Sequence, residues 1–127
     1  MARLEAWMDG VVDGPDRRQE LSELASQLGG QLEWLDPRNG EVKLACGDEA
    51  LLVTAWIELL PGNRLRLLLS SREGMSTGAQ VTAAALEVIL QGLLDIAKGS
   101  TVRFRSDRDG PLLKPQGIAI PAAPPMD

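Results

Sequence analysis

The chain has 127 residues, a net charge of −5, 44% hydrophobic residues, one Cys and no His. That length suits one domain, and the missing histidine excludes Ser-His-Asp and Cys-His catalysis and His-containing zinc sites. A lone cysteine excludes an internal disulfide, and the acidic balance argues against nucleic-acid binding through phosphate neutralisation.

At the N-terminus Leu4, Trp7 and Met8 have helical spacing, and Gly10 soon stops the segment, so a short frayed turn laying Trp7 on the body is expected. No basic start and unbroken apolar run of a secretory signal is present. Val11 to Pro15 reads as a connector. Asp16 and Gln19 fit a variant capping box, and Leu21, Leu24, Ala25 and Leu28 follow on one helical face before Gly29-Gly30.

The period then changes to two. Leu32 and Trp34 alternate with Gln31 and Glu33, Asp36 to Gly40 is a dense turn signal, and Val42, Leu44 and Cys46 alternate again. Ala50 to Leu60 is a nearly continuous apolar run, the pattern of a strand inside the sheet. After Pro61-Gly62-Asn63, Arg64 and Arg66 alternate with Leu65, Leu67 and Leu69. Leu32 to Ser70 is thus predicted as a four-stranded antiparallel meander.

Thr77 and Gln80 fit a capping box for the longest helix, Ala79 to Ala97. Glu87, Gln91, Asp95 and Lys98 form its polar stripe, and the first three, inside the apolar stretch, argue against a membrane span. The rest of its circumference is apolar, wider than one sheet face needs. Thr101 to Arg105 is expected to add a fifth strand beside the meander. Leu112-Leu113 or Ile118 to Ile120 would add an edge strand, and Pro121 to Asp127 is a Pro/Ala-rich tail expected to be disordered.

These elements predict a two-layer α+β domain over residues 1–120, with a four- to five-stranded antiparallel meander, a short N-terminal helix and one long helix packed on it. Ala25 to Gly47 (ASQLGGQLEWLDPRNGEVKLACG) resembles the helix–hairpin opening of GAF/PAS-type sensor domains, and that resemblance implies a ligand pocket between sheet and long helix. In size, charge and element order the chain is also similar to the small acidic chaperones of type III secretion, although their final helix has no counterpart here.

Four groups of residues carry functional expectations. Val81, Ala85, Val88, Gly92 and Ile96 form one apolar flank of the long helix, a candidate interface for a second copy or a protein partner unless the N-terminal elements cover it. Arg64, Arg66, Arg103 and Arg105, with Arg108 beyond, are a candidate polar surface for an acidic partner, or a solvated face paired with Glu33, Glu41 and Glu58. Gly74 to Gly78 precedes a helix N-terminus, where backbone N–H groups bind anions, but a plain cap is favoured over that use. Asp36, Asp48, Glu49, Asp107 and Asp109 sit in predicted turns and are read as turn formers rather than as a metal or acid/base cluster.

Cys46 is expected to face the core, with Trp34 and Trp56 in the sheet. No catalytic residue, metal site or cofactor is nominated. The leading expectation is a cytoplasmic, non-catalytic interaction or chaperone-like factor that dimerises or docks on a protein, with no nucleic-acid or membrane partner. A small-molecule sensor of GAF/PAS type is the second, and an enzyme ranks last.

Overall fold

Alternating burial runs through every long strand of the chain. Leu65, Leu67 and Leu69 are fully enclosed while Arg64, Arg66 and Leu68 between them face outward. A computed structural model describes residues 1–109; the expected edge strand at Leu112-Leu113 or Ile118 to Ile120 and the tail from Pro121 lie outside the described residues.

The elements in chain order are β1 (Ala2–Asp9), α1 (Pro15–Gln27), β2 (Glu33–Asp36), β3 (Asn39–Cys46), β4 (Leu51–Leu60), β5 (Arg64–Ser71), a single 3-10 turn (Met75–Thr77), α2 (Gln80–Ile96), β6 (Thr101–Arg105) and a short α3 (Ser106–Asp109). Among the described residues all six strands join one antiparallel sheet in the order β2-β3-β4-β5-β1-β6. The α+β class and the β2–β5 meander match the pattern read from the sequence.

The N-terminal segment differs. It is a strand, not a frayed helical turn, and it pairs along its whole length with β5, from Ala2 opposite Ser71 to Asp9 opposite Arg64. The reason is physical. Ala2, Leu4, Ala6 and Met8 form a buried period-two row, and an isolated helix of that length is marginal in water. Two neighbouring strands satisfy its backbone instead. The expected fifth strand, β6, consequently lies beside β1 and not beside the meander. Gly10 suits the exit from β1: its φ is +82°, and a Cβ there would stand 3.2 Å from the Gly99 carbonyl oxygen.

The two long helices, α1 and α2, cover the same sheet face. Leu86, Leu90 and Leu93 of α2 are fully buried against Met8, Leu59, Leu65, Leu67 and Leu69, giving an aliphatic core of dense side chains. Trp34 turns toward α1, where its indole N–H donates to Ser22 Oγ at 3.3 Å. Trp56 lies half-buried on β4 and faces away from the helices.

Neither expected capping box forms. α1 starts with Pro15 behind Gly14, and Gln19 donates to Glu23 instead of reaching back. Proline suits that first position because its missing N–H would be unpaired anyway. In α2 the cap position is Ala79, and Thr77 lies in the preceding 3-10 turn.

Candidate interaction site

The N-terminus of α2 is closed by a residue from outside the helix. Glu73 follows β5, and its carboxylate accepts hydrogen bonds from the Val81 N–H (2.9 Å), the Thr82 N–H (2.8 Å) and the Thr82 hydroxyl (2.7 Å). Ser71 Oγ completes the set, 2.7 Å from Thr82 Oγ1 and accepting the Glu73 N–H. Partial desolvation raises the Glu73 pKa, but the three donors outweigh it and hold the carboxyl below its usual range. Two of the N–H groups that an anion would use at the start of α2, those of Val81 and Thr82, are therefore occupied by the protein's own carboxylate. This supports the cap reading, with Glu73 as the capping group instead of Thr77.

The five flank residues of α2 separate into two groups. Gly92 and Ile96 meet the rest of the protein. A Cβ on Gly92 would stand 2.5 Å from Leu24 Cδ1 of α1, so the bare glycine allows that leucine to seat. Ile96 packs against the core, and its carbonyl accepts from Arg17 of α1 at 2.8 Å. Here α1 is the cover, as the intramolecular alternative required.

The other half is open. Val81, Ala84, Ala85, Val88 and Ile89 of α2 face Leu28, Leu44, Cys46 and Gly47 across a surface groove of about 360 Å³. Among the described residues Gln80 is its single polar side chain, and no charged residue lines it. Val88 is 51% exposed, and Ala85 sits deeper at 8%. Gly47 brings the β3–β4 turn close, since a Cβ there would stand 3.2 Å from Val81 Cγ1. Sequence does not single out Ala84 or the opposite wall: Leu28, Leu44 and Cys46 read as core, and Leu44 is buried while the other two pack partly buried against the core. Burial pushes the half-buried Cys46 thiol pKa up, the direction that disfavours thiolate chemistry.

The arginines split as well. Arg64, Arg66 and Arg103 lie on the sheet face away from the helices, and each meets an acid. Arg64 Nε is 3.9 Å and Arg103 Nη1 2.8 Å from Asp9. Arg66 pairs with Glu58 at 3.2 Å and lies 3.1 Å from Glu5, although its Nε–H is not aligned for a hydrogen bond. Its guanidinium also sits 5.9 Å from the centroid of Trp7. Of the acids expected to pair with them, only Glu58 does so; Glu41 is 3.4 Å from Lys43, and Glu33 stands opposite Glu41.

Arg105 does not share that face. A register shift between Trp7 and Met8 accompanies its turn toward the helix side, where it is only 8% exposed. There it forms a forked pair with Asp107 at 3.0 and 3.1 Å and reaches Glu87 of α2 at 2.6 Å. Asp107 beside it, and then Glu87, hold the Arg105 pKa up against the opposing effect of burial. Arg105, with help from Gln91, holds the Glu87 carboxyl below its usual range. Arg108 also approaches Glu87, at 3.5 Å.

Asp36 closes its own turn through the N–H groups of Arg38 and Asn39 and the Asn39 amide, which lower its pKa. Among the described residues no group of three or more Cys, Asp or Glu side chains could hold a metal ion, and no helix is long and apolar enough to cross a membrane.

A scan of protein-family models finds no match for the chain, and no curated protein matches it.

Proposed function

We propose that this is a non-catalytic interaction protein that docks on a protein partner through the groove between α2, the end of α1 and the β3–β4 turn. The observation that carries the reading is the groove itself: apolar walls without a charged residue, and Val88 half exposed beside them. Water contact with such a surface is unfavourable by roughly 25 cal/mol per Å² of apolar area, and a partner's side chains would relieve it.

The ionisable groups support a non-catalytic role. A general acid or base near neutral pH needs a carboxyl pKa raised toward 7. Among the described residues the three carboxyls with a shift, Asp36, Glu73 and Glu87, are all lowered, each by a turn, cap or ion-pair role. The lone thiol, Cys46, suits a reducing, cytoplasmic setting.

The test is affinity purification from the native host, comparing the unaltered chain with Val88→Asp and with Arg66→Ala on the opposite face. Loss of one stoichiometric partner in Val88→Asp alone supports groove docking. Retention in both variants moves the contact elsewhere and removes the reading. A second reading, a small-molecule sensor, draws support from the groove's volume; native mass spectrometry would then find a monomer carrying a small added mass. A dimer mass lost in Val88→Asp would make the partner a second copy.

A further inference from the structure

The surroundings of the groove indicate the charge of what fills it. Beyond Gly47 the turn continues with exposed Asp48 and Glu49. The second wall ends at Leu28, the C-cap of α1, and the last turn of α1 carries no basic residue. A helix C-terminus bears a partial negative charge, which lysine or arginine commonly offsets. Among the groove lining, the Gly47–Ala50 turn and the last turn of α1 there is no lysine or arginine. The groove is thus an apolar trough with an acidic rim. Beside that turn, at the start of α2 where Gly47 approaches Val81, Glu73 already occupies the helix's positive pole.

We propose that the groove receives an amphipathic helix with aliphatic residues on one side and lysine or arginine on its flanks; this rests on the docking function proposed above. Val81, Ala84 and Val88 supply a ridge at i, i+3 and i+7, with the small Ala84 leaving room for an approaching helix. Basic flanks would meet Asp48, Glu49 and the carbonyl end of α1, and an acidic helix of the same apolar pattern would be repelled.

Cys46 makes the test direct, because the chain's one cysteine lies in the groove wall. Three synthetic helical peptides with one leucine pattern and either lysine, glutamate or glutamine elsewhere would be titrated against the full chain. The readouts are fluorescence anisotropy and the rate of Cys46 alkylation. The lysine peptide is expected to bind tightest and to slow alkylation several-fold. Asp48→Lys with Glu49→Lys should reverse the preference toward the glutamate peptide. Equal affinity for the lysine and glutamate peptides, or an unchanged preference in the double variant, overturns the charge inference and leaves groove docking standing. If no peptide, including the uncharged one, protects Cys46, both ideas fall together.

Discussion

The two halves of α2 carry the same kind of surface and meet different fates. Around Gly92 the helix is covered by Leu24 and Arg17 of α1, whereas around Val88 it borders an open groove. Length explains part of the contrast. At about 1.5 Å per residue, the 13 residues of α1 are shorter than the 17 of α2. One helix cannot shield the whole of the other. Whether an apolar stripe is core or interface is therefore decided by a different element, not by the stripe.

The contrast can be broken from the covered side first. Leu24→Ala should cost the most, about 3 kcal/mol by urea unfolding, because a buried leucine leaves a cavity over Gly92. Gly92→Val should cost about 2 kcal/mol by forcing Leu24 aside. The two together should cost less than their sum, since the valine would fill the space that Leu24 vacates. Strict additivity would mean that the two residues do not share that space.

Glu73→Ala should lower the melting temperature at neutral pH by a smaller amount. The Glu73 pKa is depressed in the folded chain, so its contribution is present above its ordinary value of 4.5 and is lost as pH falls through the depressed one. The gap between the variant and the unaltered chain should thus close on acidification, and melting curves across that range would check it. The smallest effect belongs to the open half: Val88→Asp should change stability by no more than about 0.5 kcal/mol, as an exposed substitution does. A large loss there would mean that Val88 packs as core, contrary to the comparison.

Local signals made much of the fold legible. The β2–β5 meander announces itself through alternation and through Asp36 to Gly40 and Pro61 to Asn63, and both helices through their apolar period. β1 was hidden because Leu4, Trp7 and Met8 also fit a helical template, while the small Ala2 and Ala6 add little weight to the strand pattern. Its partners are Arg64 to Ser71 and Thr101 to Arg105, far along the chain. Missing β1 also hid Glu5 and Asp9 as partners of the arginines.

The site was half legible for the same reason. Val81, Ala85 and Val88 do lie at the groove, but the cover over Gly92 depends on how α1 packs, which no spacing within α2 records. Glu73 as a cap leaves no short-range motif, because it reaches α2 across the Gly74–Gly78 turn.

The place of β1 between β5 and β6 has a consequence for how the chain is made. During synthesis Ala2–Asp9 emerges before either neighbouring strand exists. The β2–β4 hairpins have close partners and can zip as they appear, whereas β1 waits with both edges bare until β5 and then β6 follow. A ribosome-bound chain ending before Thr101 would still lack β6, leaving one side of β1 available for pairing with another chain. Pairing of that side of β1, and the protection from aggregation that comes with it, waits on the translation of β6.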